Sequence, residues 1–294
     1  MATTGHGEIG CYHGDKLVQL VEHVDRLVSL PDVYYRLEAL IERPDSSLGD
    51  IARLLSTEPD LCARLLGMAN SAFYSFPVRI ESIDRAVQVI GIRQIRELVL
   101  ATSIANAFSQ VPLGMIDMRR FWEHSVATGV MAKCLGQRGR RRQPERYYVA
   151  GLLHDIGRLA FFLKLPGLMS ELLLQRERVE TPLFRLEQAA LGYNHAEAGG
   201  ALLQHWRVPQ SIHEPVCFHH DPRHAMHFDE VAAAVHMADV WVNRELLGSG
   251  GERFELEMDP QAADLLGVQE EDLDEVWIQA RNEIRDVTRQ FLRQ

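Results

Sequence analysis

The chain has 294 residues, of which 46% are hydrophobic and 24% charged, and its formal net charge is −10. These values are typical of a globular protein with one large core or two smaller ones. The acidic balance argues against broad binding of nucleic acid or of an anionic membrane, so neither is expected as a partner. No uncharged apolar run reaches about 18 residues, and residues 1–15 contain no apolar signal segment, so we predict no membrane span and a cytoplasmic location.

Apolar residues recur with the 3.6-residue period of amphipathic helices through most of the first half, and no strand pattern is convincing. The sequence therefore predicts an all-α fold. Phe73, Tyr74 and Phe76 lie in a loop, and we expect them to anchor it to the core. The helices predicted in this half cover residues 31–41, 47–55, 60–70, 83–90 and 92–108, after a first helix over 16–28.

The segment 110–114 is the best candidate for a boundary. We predict a disordered N-terminus over 1–15, an N-terminal helical subdomain over 16–112, a metal-binding helical subdomain over 113–246, and C-terminal helices over 247–294 packed on the body. The run Arg138–Arg142 is interpreted as a solvated loop. The helices predicted in the second subdomain cover 117–137, 145–164, 167–178, 182–191, 195–206, 209–219 and 228–246.

An adjacent imidazole and carboxylate, His154 and Asp155, lie within an apolar helical segment. Burying such a pair is costly unless a positive group holds both side chains. Other ligand-type residues are embedded in apolar helical segments in the same way. The complete set of predicted metal ligands is His124, His154, Asp155, His195, His219, His220 and Asp239.

These side chains indicate one or two divalent metal ions. Neutral imidazole and carboxylate groups suit Fe, Mn, Zn or Co, so the identity of the ion stays open. A carboxylate can bridge two ions, and a water shared by two ions can be activated to attack a phosphoryl group. Alternatives without metal remain: His154 and Asp155 as a hydrogen-bonded core pair, His195 as a helix cap, and Asp239 as a salt-bridge partner. His236 could lie behind the ligands.

The order His…His-Asp…His…His-His…Asp resembles the HD superfamily of metal-dependent phosphohydrolases. In the first half, the stretches 30–33, 46–52, 58–72 and 83–91, including Glu58-Pro-Asp60 and Asn70-Ser-Ala72, resemble the HDOD family of bacterial signalling domains. The resemblance covers roughly residues 17–245 and implies an HD-like helical fold. HDOD domains usually act as regulatory or interaction modules and commonly lack the full ligand set, whereas this chain fills every HD-type ligand position.

The chain also departs from the related HD-GYP family, which cleaves cyclic di-GMP. Asp221-Pro-Arg-His224 replaces the Gly-Tyr-Pro motif that follows the double histidine in that family. In this chain Arg158 stands where that family has a lysine, three residues after the His-Asp pair. Arg120 stands where some HD-GYP proteins have an acidic residue, one turn before the first histidine. One or two ions therefore fit better than three.

Two functions follow from the resemblance. The first is a bacterial signal-transduction protein of HDOD type that retains a mono- or dinuclear HD metal centre and acts by sensing or by docking to a signalling protein partner. The alternative is an active metal-dependent phosphohydrolase that binds a nucleotide or cyclic dinucleotide. In that case Asp155 and Arg158 are the catalytic residues, with Asp155 bridging the ions and Arg158 orienting the phosphate. A helical scaffold with an empty pocket is a third reading.

Overall fold

The computed structural model describes residues 14–109, 116–141, 143–249, 251–252 and 256–292. These ranges are helical and contain no strand, so the predicted all-α class is confirmed. None of the helices in them is both long enough and apolar enough to span a bilayer. The first six helices are α1 (Asp15–Asp25), α2 (Asp32–Glu42), α3 (Leu48–Leu55), α4 (Pro59–Ala69), α5 (Ile83–Ile90) and α6 (Ile92–Ser109).

The second half of the chain contains further helices that surround the predicted metal ligands. Two short 3-10 turns, Pro222–His224 and Glu270–Asp272, also occur there. The helices are α7 (Met118–Arg138), α8 (Pro144–Leu153), α9 (Ile156–Lys164), α10 (Pro166–Arg176), α11 (Leu183–Leu191), α12 (His195–His205), α13 (Gln210–Phe218), α14 (Asp229–Arg244), α15 (Pro260–Leu266) and α16 (Leu273–Phe291).

The prediction of one continuous helix over 145–164 was wrong. The chain forms α8 and α9 instead, with His154 and Asp155 between them. Asp155 has φ −93° and ψ 7°, outside the regular α-helical values. Its carbonyl accepts from the Arg158 N–H at 2.9 Å, an i to i+3 bond. The apolar period continues across this turn, so periodicity alone could not detect the break.

Glycines allow α7 and α8 to cross with their backbones in contact. A Cβ atom on Gly129 would lie 2.6 Å from the Tyr148 carbonyl oxygen, and one on Gly151 would lie 2.7 Å from the Gly129 Cα. Any larger residue at either position would push the two helices apart. Because the helices form a short antiparallel hairpin, this crossing places His124 of α7 beside His154 at the end of α8.

Helices from both halves of the sequence pack on this hairpin. Helix α6 packs on α8, α1 packs on α9 and α12, and α16 packs on α7 and α4. The buried apolar side chains of these helices belong to one contiguous core cluster. The predicted subdomain junction between residues 112 and 113 lies outside the described residues, as does most of the predicted N-terminal segment 1–15.

The interpretation of Arg138–Arg142 as a solvated loop was wrong for Arg141, which is half-buried. Arg138 is exposed but is the last residue of α7, and Arg142 lies outside the described residues. The Arg138 guanidinium pairs with Asp272 at 2.6 Å. Arg141 pairs with Glu230 at 3.0 Å and donates to the Leu265 carbonyl oxygen at 2.8 Å. These arginines attach the C-terminal part of the chain to the α7–α8 turn, a role that a charge run in sequence does not reveal.

Lys133 lies buried in α7 at the junction of three segments. Its ammonium group donates to the Phe73 carbonyl oxygen at 2.8 Å and to the Glu283 carboxylate at 2.9 Å. It also lies 3.7 Å from the centre of the Phe73 ring. Phe73 is buried and packs edge-on against Tyr148 of α8, as expected for a loop anchor. The buried cation thus links the 73–76 loop, α7 and α16.

We expect Lys133→Met to destabilise the protein by about 3–5 kcal/mol, because it leaves the Glu283 carboxylate without its buried partner. Chemical denaturation followed by circular dichroism measures this. Lys16→Met, at an exposed position of α1, is the control and should change the free energy of unfolding by less than about 0.5 kcal/mol. Equal stability of Lys133→Met and the wild type would contradict the proposed role of the ion pair.

Glu97 of α6 should make stability fall as the pH rises. Burial, reinforced by the nearby Glu145 carboxylate, raises its pKa to about 7, and the residue is 5% exposed. Folding therefore favours the protonated form, and this advantage is lost between the unfolded pKa, about 4.3, and the folded one. We expect Glu97→Gln to be more stable than the wild type at pH 8, by up to about 3 kcal/mol. The difference should vanish near pH 4, and a pH-independent difference in urea denaturation would refute this.

Candidate metal centre

The structure brings all seven predicted ligands together around the break between α8 and α9. They come from α7, from the α8–α9 turn, from the first residue of α12, from the turn after α13, and from α14. Six of the seven are buried, and His220 is half-buried. Their donor atoms form three overlapping groups that could hold a metal ion: His124, His154 and Asp239; His154, Asp155 and His219; and His195, His219 and His220.

The first group is held around the Asp239 carboxylate. The Asp239 Oδ1 atom lies 3.1 Å from His124 Nε2 and 3.4 Å from His154 Nε2. The two imidazole rings have their centres 5.2 Å apart. Two imidazole nitrogens and a carboxylate at these separations form half of a usual coordination shell for a first-row divalent ion.

The group of His195, His219 and His220 shares no residue with the first and is called the second group from here on; it is centred on His195. Its Nε2 atom lies 2.9 Å from His220 Nε2 and 3.1 Å from Asp155 Oδ1. The ring of His219 lies between the groups, with its centre 5.5 Å from that of His195 and 5.0 Å from that of His154.

Asp155 lies between the two groups. Its Oδ2 atom is 3.5 Å from His154 Nε2 and 3.9 Å from His124 Nε2, while its Oδ1 atom faces His195. The two carboxylate oxygens therefore point to different groups of imidazoles. A carboxylate in this position could bridge two ions.

Hydrogen bonds at Nδ1, the ring nitrogen that points away from the centre, orient the imidazoles of His154, His219 and His195. His154 Nδ1 donates to the Gly151 carbonyl oxygen at 2.7 Å, and His219 Nδ1 donates to the Val216 carbonyl oxygen at 2.8 Å. A carbonyl oxygen can only accept, so the Nδ1 atom carries hydrogen, and the Nε2 lone pair of a neutral ring faces the centre. This is the usual support for a metal-binding imidazole.

A buried glutamate that the sequence analysis missed supports His195. The Glu187 carboxylate accepts from His195 Nδ1 at 2.6 Å and from the His195 backbone N–H at 2.9 Å. One signal for it was available, because Glu187 follows Leu183 by four residues and so falls on the apolar face of α11. His236, considered above as a residue behind the ligands, donates from Nδ1 to the His219 carbonyl oxygen at 2.9 Å.

The inward-facing atoms provide a test of whether a metal ion fits. Among the described residues, His154 Nε2 and His219 Nε2 are buried without a hydrogen-bond partner. Two further buried atoms have a charged neighbour but no well-aligned hydrogen bond: His124 Nε2 lies 3.1 Å from Asp239 Oδ1, and Asp155 Oδ1 lies 3.1 Å from Arg158 Nε. Buried polar atoms in proteins are almost always satisfied, so several at one point need a reason. A cation that accepts these lone pairs would satisfy all of them, and the donor set fits a divalent ion.

Charge in the site also favours a cation. Burial lowers the pKa of His219 and His220 well below the usual value, so both rings are neutral. Burial and Arg158 lower the pKa of His195, but Glu187 and Asp155 outweigh them and raise it to about 9. The carboxylates therefore draw positive charge into the site, and a metal ion would compete for it with a proton.

Arg158, predicted to orient a phosphate, is buried beside the second group. Its Nε atom lies 3.1 Å from Asp155 Oδ1, and its Nη2 atom lies 2.8 Å from Glu252 Oε1 and 3.4 Å from His195 Nε2. Two carboxylates thus hold the guanidinium.

A cleft of about 720 Å³ reaches the site at His220, the one predicted ligand that is half-buried rather than buried. The Phe184 ring stacks on His220 with the ring centres 4.0 Å apart and the planes at 16°. Most of the charged residues that line the cleft are acidic. They are Glu180, Asp221, Glu257 and Asp259, compared with the basic residues Arg185 and Arg223.

Comparison with known proteins identifies the family. The HDOD domain matches residues 27–222, which is more than half of the chain, and the protein belongs to the HDOD family. One curated relative, an uncharacterized protein of Treponema pallidum (strain Nichols), is 28% identical over 208 residues. That match covers 70% of this chain but only 40% of the relative's length.

Solved structures agree with this assignment. The protein named "Putative phosphohydrolase" from Shewanella amazonensis SB2B is 26% identical and aligns with a TM-score of 0.75, over 95% of this chain and 99% of that one. An HDOD domain protein with unknown function from Geobacter sulfurreducens is 24% identical, with a TM-score of 0.73 over 93% and 96% of the two chains. The latter similarity concerns the fold alone.

We expect Glu187→Gln to weaken binding of a divalent ion about 10- to 100-fold, because a neutral amide cannot fix the His195 ring or support its basicity as a carboxylate does. Competition with a chromophoric chelator measures the affinity. Glu171→Gln, at an exposed position of α10, is the matched control and should bind as the wild type does. Identical affinities for the two variants would rule out a supporting role for Glu187.

Proposed function

We propose that the protein is a signal-transduction protein of HDOD type that holds one or two divalent metal ions and acts by docking to a signalling protein partner. The observation that carries the proposal is the convergence of seven buried or half-buried ligand-type side chains, with the Nε2 atoms of His154 and His219 buried there without a hydrogen-bond partner. Fe, Mn, Zn and Co all suit this ligand set.

The two groups of ligands should differ in affinity. His124, His154 and Asp239 would hold the tighter ion, because no permanent positive charge is within hydrogen-bond distance of their donor atoms among the contacts described above. His195, with His219 and His220, would hold a second ion less tightly, since the Arg158 guanidinium lies 3.4 Å from His195 Nε2. Two positive charges this close repel each other unless the carboxylates between them compensate.

The surroundings of the site favour regulation over hydrolysis. Many phosphohydrolases add a cationic side chain to their metal ions to bind the substrate phosphate, but here Arg158 is paired with Asp155 and Glu252. The cleft that leads to His220 has more carboxylates than guanidinium groups in its lining. These carboxylates weaken the attraction of a multiply charged phosphate ester to the cleft, and they attract a metal cation. We infer that the metal state of the centre, rather than turnover, is the signal that a partner reads.

An active metal-dependent phosphohydrolase is the second candidate. It is supported by the filled ligand set and by the similarity to the Shewanella protein described above. A bound divalent ion supplies Lewis acidity and lowers the pKa of a water molecule. In this alternative, Asp155 holds the ligand groups in register, and Arg158 orients the phosphate of a nucleotide or cyclic dinucleotide once Glu252 releases it.

Elemental analysis of anaerobically purified protein tests the metal centre. We expect about one to two equivalents of a first-row divalent metal in the wild type and a large loss in His154→Ala, because this ring contributes to two of the three ligand groups. His205→Ala removes a histidine that pairs with Asp25 away from the centre, and it should retain the metal. A wild type without metal, equal in stability to His154→Ala, would eliminate the proposal.

A turnover assay separates the two functions. We expect metal-loaded protein to leave cyclic di-GMP and bis(p-nitrophenyl) phosphate intact, because Arg158 is occupied by carboxylates. The hydrolase alternative predicts cleavage that is abolished in Asp155→Asn. Hydrolysis by the wild type that disappears in this variant would replace the regulatory proposal with the enzymatic one.

A further inference from the structure

A short segment after α14 lies across the metal centre. We call residues 247–249, 251 and 252 the strap. The Ser249 N–H donates to the Arg120 carbonyl oxygen of α7 at 3.0 Å, and the Arg120 guanidinium donates to the Gly248 carbonyl oxygen at 3.4 Å. The strap is therefore attached to the same helix that carries His124.

Two glycines let the strap lie directly on the site. Gly248 has φ +75°, and a Cβ atom there would lie 2.3 Å from the His124 backbone nitrogen. Gly251 has φ +105°, and a Cβ atom there would lie 2.9 Å from Arg158 Nη1. A side chain at Gly248 would be strained in its backbone and would also collide with α7, so this close contact depends on glycine.

The last residue of the strap is Glu252, and its carboxylate contacts the kinds of groups that bind an oxyanion ligand. Glu252 Oε1 lies 2.8 Å from Arg158 Nη2, and Oε2 accepts from the Leu183 backbone N–H at 3.0 Å. Leu183 is the first residue of α11, whose N-terminal N–H groups are not used within the helix. The Glu252 side chain is only 2% exposed. Guanidinium groups and N–H groups at the start of a helix are the usual ligands of phosphate in proteins.

We propose that Arg158 and the first N–H group of α11 form an oxyanion-binding site, that Glu252 fills this site in the resting protein, and that a phosphoryl group competes with Glu252 for it. The displacement would release the Glu252 carboxylate from the side of the centre that holds Asp155 and His195. The proposal rests on the proposed function only where this release affects the metal centre, since the competition between Glu252 and a phosphoryl group needs no metal. The ligand could be free phosphate or a phosphate ester, which share the same oxyanion chemistry.

Isothermal titration calorimetry of the full chain tests the competition, with inorganic phosphate and dimethyl phosphate as the two probes. We expect Glu252→Gln to bind at least one probe about tenfold more tightly than the wild type, because the tethered competitor has lost its charge while its size is kept. The stronger probe identifies the source of the phosphoryl group. Glu171→Gln removes an exposed carboxylate of α10 that does not line the cleft, and it should behave as the wild type.

Two further variants keep the test decisive. Gly248→Ala retains both charges but lifts the strap, so it should give a similar gain. The double variant Glu252→Gln/Arg158→Gln should lose the gain, with folding checked by circular dichroism. A Glu252→Gln protein that binds neither probe more tightly than the wild type, or a gain that survives without Arg158, overturns the proposal.

Metal content, measured in the same samples, separates this proposal from the proposed function. An Arg158-dependent gain in protein without bound metal supports the oxyanion site and counts only against the metal centre. Metal-loaded protein without any gain counts only against the oxyanion site.

Discussion

The charge balance of one buried site constrains the rest of this structure. The site contains four carboxylates, those of Asp155, Glu187, Asp239 and Glu252, and a single guanidinium group, that of Arg158, which pairs with Asp155 and Glu252. Ionised carboxylates away from water are costly unless positive charge compensates them. The carboxylates raise the pKa of His154 and that of His195 although burial alone would lower them, so these imidazoles can supply part of the charge as protons. A divalent ion would supply the compensating charge more completely.

The packing of the helices serves this requirement. The contact of Gly129 with Gly151 brings α7 and α8 together at the level of the first ligand group. A second contact does the same for the other group, because a Cβ atom on Gly157 would lie 2.0 Å from the His195 carbonyl oxygen. Side chains at these positions would hold the helices farther apart and so disturb the spacing at which the imidazoles share one carboxylate. The small residues in the core of the hairpin are therefore part of the site.

Membership of the HDOD family and the geometry of the site lead to a consistent view of the protein. Its ligand set is that expected of a metal-dependent hydrolase, but its guanidinium group is neutralised and its cleft is acidic. A centre of this kind can bind a cation, and an anion can reach Arg158 only when it displaces Glu252. The strap contributes to this restriction, since Glu252 pairs with Arg158 and Gly248 lies on α7 beside His124.

The sequence by itself determined the fold class, the family and the identity of the ligand-type residues. It could do so because helical periodicity and polar residues within apolar segments are local patterns. It did not determine the break between α8 and α9, where the apolar period continues across His154 and Asp155. It also did not reveal that Glu187 supports His195 or that Glu252 holds Arg158, since these partners lie 8 and 94 residues apart in the chain. Only tertiary structure decided which carboxylate faces which cation, because that pairing depends on how closely the helices approach.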